Sequence, residues 1–275
     1  MTAGAVASLM WATSGCSGSG AAAEDEKGEA VAVLRAAADV LVDAGSSKAR
    51  TSMEMATGGT RVTIRGEGTY DFKRQIGELR VLLPQDPSGA VEHRPITELL
   101  APGALYMKNR GAGVPDDKWV RVDTATLSDG NLVTGGATDP LAAAELLRGA
   151  SEVTYVGESK VDGVAVRRYR GTADIARAAQ LASAHNRKVF AAAAKGFAKG
   201  EVPFEAYVDE QGRLRKIRHQ FSFVNSAAGG SGGRSSGSGA EVAVASTTLL
   251  YGFGTPVKAQ LPDAEDIFAG KIAEG

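Results

Sequence analysis

The feature that most constrains this chain is a succession of short runs in which apolar residues recur at every second position, each closed by a turn signal. Thr51, Met53 and Met55 alternate with Arg50, Ser52 and Glu54, and Gly58-Gly59 follows as a hairpin turn. Val62 and Ile64 alternate with Arg61, Thr63 and Arg65. Beyond a Lys73-Arg74 turn, Leu79, Val81 and Leu83 alternate with Glu78, Arg80 and Leu82. A period of two puts one set of side chains on one face of an extended strand, so the runs predict meander strands that share an apolar face.

The same punctuation continues. A loop over 84–95 precedes an extended segment at 96–100, a Pro102-Gly103 turn, a strand at 104–108 that carries Leu105 and Met107, a turn over 111–117 and a strand at 118–123. Strands at 153–161 and 164–171, the second carrying Val166, flank Asp162-Gly163, a strong hairpin signal. Further strands are expected at 203–209 with Val208, at 214–224 with Phe221 and Phe223, and at 241–251. Between the last two lies 226–240, SAAGGSGGRSSGSGA, which lacks the apolar residues to fold. It reads as a disordered hairpin loop, with a linker to a separate C-terminal segment as the alternative.

Three stretches carry helical periodicity instead. Val31, Leu34, Ala38, Leu41 and Val42 form one apolar stripe between Gly28 and Ala44, ended by Gly45-Ser46-Ser47. Asp139-Pro140 is an N-cap followed by proline at the first helical position, opening a helix of about ten residues that Gly149 closes. Asp174 caps a longer alanine-rich helix that runs to about Lys195. With 43% hydrophobic residues in 275 there is ample material for a core. Strands in hairpins with helices inserted midway describe an α+β domain, a single large curved antiparallel sheet with helices on one side, and no repeat of fixed period.

The chemistry of a catalytic site is missing. There is no G-x-S-x-G and no H-E-x-x-H, the one cysteine lies outside the folded body, and three histidines, His93, His185 and His219, are too few for a Cys/His metal cluster. Gly66-Glu67-Gly68 lacks the third glycine of a dinucleotide loop and sits in a strand, where glycines relieve strain in a curved sheet. Asp116-Asp117 and Glu24-Asp25-Glu26 read as a solvated turn and tether, since adjacent carboxylates point different ways. The run RLRKIRH at 213–219 has no clean apolar face; it suits a charged, solvated sheet edge, or contact with anionic lipid head groups. A net charge of -1 leaves no basic field for nucleic acid. The expectation is a protein without enzymatic activity, metal or cofactor.

One cysteine cannot form an internal disulfide, so its position has to explain it. Residues 3–12, AGAVASLMWA, are apolar over a length that fits a signal-peptide core and is too short to span a bilayer, and Thr13-Ser14-Gly15-Cys16 follows. This resembles the bacterial lipobox, with Thr13 where an aliphatic residue is usual and no positive segment before it; an upstream start codon would supply the latter. The resemblance implies a signal peptide over 1–15, removal of it, and acylation of Cys16, palmitate included. Residues 17–27, SGSGAAAEDEK, then read as the tether of a lipid anchor, giving 16–27 as anchor and tether and 28–275 as the folded domain. A free thiol on a flexible terminus is the plainer alternative.

The apolar face of the sheet mixes Met53, Met55 and Met107 with β-branched residues, Phe221 and Phe223, a lining suited to changing shape. Candidates for it are Met53, Met55, Val62, Ile64, Leu79, Val81 and Leu83 from the first strands, Leu105, Met107 and Val166 from the middle, and Val208, Phe221 and Phe223 from the end. A curved sheet over helices can enclose a cavity that accepts acyl chains, although an ordinary packed core has the same pattern.

Several stretches taken in order resemble the LppX/LprG-like lipoproteins of actinobacteria, which share the fold of the LolA and LolB carriers. They are Tyr106-Met107-Lys108, Lys118-Trp119-Val120-Arg121-Val122-Asp123, Arg168-Tyr169-Arg170-Gly171, and Val202-Pro203-Phe204-Glu205-Ala206-Tyr207-Val208-Asp209 with Gly212-Arg213-Leu214. The similarity spans about residues 28–260 in order of elements, and each motif by itself is short; the loop at 226–240 is longer than the family's turn. It implies a LolA-like half-barrel wrapped over helices, a cavity for acyl chains of lipids or lipoglycans, and no catalytic residues. The partners it implies are those acyl chains, the outer face of the cell membrane through a lipid anchor, and an envelope transporter, with the protein a monomer. The same fold without a cavity would serve as an envelope sensor or scaffold.

Overall fold

The computed structural model describes residues 18–57, 60–83, 94–109, 111, 113–133, 137–224 and 241–270. Cys16, the 58–59 turn, His93 and the 226–240 loop lie outside them. The described chain forms four α-helices and one sheet of eleven strands. In chain order these are α1 (Gly18–Ala44), β1 (Ser46–Thr57), β2 (Thr60–Asp71), β3 (Ile76–Leu82), β4 (Ile96–Ala101), β5 (Ala104–Lys108), β6 (Trp119–Asp123) and α2 (Pro140–Leu146). There follow β7 (Ala150–Val161), β8 (Val164–Asp174), α3 (Ile175–Leu181), α4 (Ala184–Gly196), β9 (Glu201–Val208), β10 (Leu214–Val224) and β11 (Glu241–Tyr251).

The spatial order is β6-β5-β4-β3-β2-β1-β11-β10-β9-β8-β7, every neighbouring pair antiparallel. Two meanders therefore meet where β11 pairs with β1, and the chain leaves the sheet at one edge, β6, to re-enter at the other, β7. That connection contains α2 and crosses one face. Apolar side chains of all four helices, Leu34 and Leu41 of α1, Leu141 of α2, Ile175 of α3 and Phe190 of α4, are buried in one cluster with that face. This is the α+β architecture expected, one large open antiparallel sheet with helices on one side.

Local signals explain most boundaries. The Asp139 side chain accepts from the Leu141 and Ala142 amides and Pro140 opens α2; Asp174 accepts from the Arg177 amide and opens α3. Asp162 and Gly163 turn the β7-β8 hairpin at φ of 48° and 81°. At Gly68 a Cβ would collide with the Glu78 carbonyl oxygen, so β2 and β3 approach closely only because glycine stands there.

Three elements differ from expectation. α1 begins at Gly18, so 18–27 is helical where a flexible tether was expected; Ala21-Ala22-Ala23 with Glu24 and Glu26 are good helix formers. The alanine-rich helix after Asp174 is two helices, broken at Ala182-Ser183, because the Ser183 amide and hydroxyl turn to the Glu145 carboxylate at 3.2 and 3.0 Å. The 213–219 run is no sheet edge: β10 lies between β9 and β11, with His219 at 1% exposure. A second small core, Ile76, Leu99, Ala101, Ala104 and Tyr106, lies on the outer face under Val257, Ala259 and Ile267. The Phe268 amide bonds the Trp119 carbonyl at 2.8 Å, tying that segment to the β6 edge.

Candidate functional site

Strand register fixes which side chains share the helix-facing side. Met53 pairs with Ile64 across β1-β2 and with Ser246 across β1-β11, and Met55 pairs with Val62 and Val244. Phe221 pairs with Val244 across β10-β11, and Met107 with Val120 across β5-β6. Seven of the expected lining residues, Met53, Leu79, Val81, Leu105, Met107, Val208 and Phe221, are buried there in the main cluster. Met55, Ile64, Leu83 and Phe223 pack partly buried against it, and Val62 shares the face through its pairing with Met55.

Val166 departs from the set. Arg167 pairs with Val208, so alternation turns Val166 to the opposite side, and although only 4% exposed it is outside the main cluster. Periodicity within β8 could not reveal this, because neither alternating set of that strand is cleanly apolar.

The helices cover the centre of this face, with Met53, Leu79, Leu105 and Phe221 at 1% exposure or less, and leave Met55, Ile64, Leu83 and Phe223 partly exposed. Recesses lie at the rim of the sheet and on its opposite face, to which Glu54, Arg218 and Gln220 turn by alternation. One of about 210 Å³ is bounded by Met55 with Glu54, Arg61, Arg218 and Gln220. Another of about 560 Å³ is bounded by Phe221 with Lys199, Pro203 and Ser222. A third, about 320 Å³, lies between Glu26, Glu29 and Ala30 of α1 and Tyr155, Arg167 and Tyr169 of the last hairpin.

Polar groups hold the cover to the sheet. The Tyr70 hydroxyl donates to Asp139 Oδ2 at 2.9 Å, while Asp139 Oδ1 caps α2, and burial pushes the Asp139 carboxyl up to about 6. Glu145 of α2 accepts from Ser183 and from Asn186 Nδ2 at 2.8 Å, fastening α2 to α4. His185 Nε2 accepts from the Gly103 amide at 3.0 Å, joining α4 to the β4-β5 turn, and burial lowers its pKa. Among the described residues no group of three or more His, Cys, Asp or Glu could hold a metal, and no helix is long and apolar enough to cross a membrane.

Sequence reasoning missed a polar patch within this apolar face. Thr51 of β1 pairs with Thr248 of β11, and one row further Ser246 pairs with His219 of β10. All four are 4% exposed or less. Burial pushes the His219 imidazole down to about 3, so it is neutral. Its neighbours are the rings of Phe204 and Phe221, at centroid distances of 6.5 and 5.7 Å. The available signal was the recurrence of Ser246 and Thr248 at the inward period of β11.

No family model and no curated protein matches the chain. Among solved structures it is similar to the lipoprotein LppX of Mycobacterium tuberculosis, with 12% identity and a TM-score of 0.48 over 85% of this chain and 99% of that one. It is similar to LprF from Mycobacterium bovis, with 13% identity and a TM-score of 0.41 over 86% and 97%. A DUF1329 family protein from Desulfovibrio piger follows at 12% identity and a TM-score of 0.34, over 84% and 95%.

Proposed function

We propose that this protein is a non-enzymatic lipoprotein of the cell envelope, anchored through Cys16, that takes acyl chains of lipids or lipoglycans between its sheet and helices and carries them across the envelope. The observation that carries the reading is the helix-facing side of the sheet. Met53, Met55 and Met107, with Phe221 and Phe223, belong to a mainly apolar face, interrupted by a few polar side chains, whose cover is a set of helices and loops rather than a second sheet. Methionines re-pack at low cost, and helices held by a few polar contacts can separate from a sheet without breaking strand pairing. Each buried methylene of an entering chain contributes about 0.8 kcal/mol.

Mass spectrometry of the protein purified from a lipid-containing host should show co-purifying lipid, and a fluorescent fatty-acyl probe should be taken up. A lipid-free spectrum with no uptake sinks the reading. Cys16→Ser should move the protein from the membrane to the soluble fraction; unchanged fractionation removes the anchor and leaves acyl binding standing.

The second reading, an envelope sensor or scaffold with a filled core, is favoured by the full burial of Met53, Leu79, Leu105 and Phe221 under the helices. It expects no lipid in either experiment.

A further inference from the structure

Thr51, Thr248, Ser246 and His219 stand side by side on three neighbouring strands, β1, β11 and β10, of the mainly apolar helix-facing side, on which Glu98 is also buried beside Leu79 and Met107. Their positions are buried, yet Thr51 Oγ1, Thr248 Oγ1 and His219 Nε2 have no hydrogen-bond partner. A buried hydroxyl or imidazole nitrogen without a partner opposes folding, and three in one patch concentrate that cost where the proposed ligand would lie. Gly66 on β2 leaves the space: a Cβ there would come within 2.6 Å of Thr51 Oγ1.

The fourth member shows what the patch accepts. Thr138, on the segment that precedes α2, donates its hydroxyl proton to the Leu132 carbonyl at 2.8 Å. It lies 2.6 Å from Ser246 Oγ, and with its own proton committed it must accept from Ser246. A neutral hydroxyl brought down from outside the sheet already satisfies one member of the patch in this way.

We propose that Thr51, Thr248 and His219 form a subsite for a neutral hydroxyl carried part-way along an acyl ligand, rather than for bare hydrocarbon. This rests on the acyl-carrier reading. Threonine hydroxyls donate and accept, and a neutral imidazole offers one of each, so the patch matches a hydroxyl, which does both. Phosphate or a free carboxylate does not fit, because among the described residues no unanswered positive charge faces the patch. Arg215, in the next row of β10, has its guanidinium 3.7 Å from Asp209 and over the Phe253 ring.

The test uses the full chain and two probes: methyl esters of one long saturated fatty acid, with and without a hydroxyl part-way along the chain. Wild type should bind the hydroxylated probe about tenfold more tightly, the gain of one buried hydrogen bond. In the isosteric double variant Thr51→Val, Thr248→Val the preference should vanish while affinity for the plain ester stays within about twofold. Thr248→Val alone, expected to halve the preference or more, serves if the double variant does not fold. Equal binding of both probes by wild type, or a preference that survives the substitutions, overturns the subsite and leaves the carrier reading intact. Uptake of neither probe by wild type overturns both.

Discussion

Tyr70 and Asp139 are joined by a hydroxyl-carboxylate hydrogen bond of 2.9 Å that ties the helix-facing side of β2 to the first turn of α2. Asp139 does two things at once, since its other oxygen accepts the Leu141 and Ala142 amides at 2.8 and 3.0 Å. Asp139→Ala removes both and should cost about 2–3 kcal/mol in urea unfolding at neutral pH, whereas Tyr70→Phe, which leaves the cap intact, should cost about 1 kcal/mol. Equal losses for the two would mean that the cap contributes nothing.

Two buried groups make stability depend on pH in opposite senses. Asp139 is raised from 3.8 to about 6, so its contribution is fully present below pH 3.8 and lost as pH rises through about 6. His219 is lowered from 6.5 to about 3, so its contribution is fully present above pH 6.5 and lost as pH falls towards 3. Between about pH 4 and 6 the two offset each other. Asp139→Asn should therefore steepen the loss of stability on acidification from pH 7 to 5, and His219→Gln should turn that loss into a flat or rising profile. Unfolding midpoints across the range check both, and parallel profiles for wild type and variants would contradict the assignment.

Close strand approach makes a sharper test of packing. At Gly68 an added Cβ meets the Glu78 carbonyl, a backbone atom that cannot swing away, and Gly68→Ala should cost about 2 kcal/mol or more. Gly28 lies exposed inside α1 with nothing within 4 Å of an added Cβ, so Gly28→Ala should stabilise by about 0.5–1 kcal/mol. Thermal unfolding of the two variants should shift in opposite directions.

What could be read without coordinates divides along physical lines. Strand positions, the Asp139 and Asp174 caps and the Asp162-Gly163 hairpin were legible because each depends on a few consecutive residues, and one large sheet followed from the hairpins. The inward burial of His219 was not, because β10 alternates charge with apolar groups on both sides and its face is decided by β9 and β11. Nor was the break at Ser183, which depends on Glu145, distant in sequence. The pairing of Thr51 with Thr248 brings together residues from opposite ends of the chain, and nothing local marks them as neighbours.

Met53 separates the carrier from the scaffold. It is 1% exposed at the centre of the helix-facing side, next to Ile64 and Ser246 in register, so Met53→Trp forces a larger side chain into the space that an acyl chain would use. If that face re-packs around ligands, the indole is accommodated with a loss below about 1 kcal/mol, and acyl-probe uptake falls at least tenfold because the volume is occupied. A fixed core behaves differently: the same substitution costs about 1–3 kcal/mol through overpacking, and there is no uptake for it to abolish. Urea unfolding and probe titration on the same preparation distinguish these outcomes. A large stability loss with undiminished uptake would move the acyl site away from Met53 altogether.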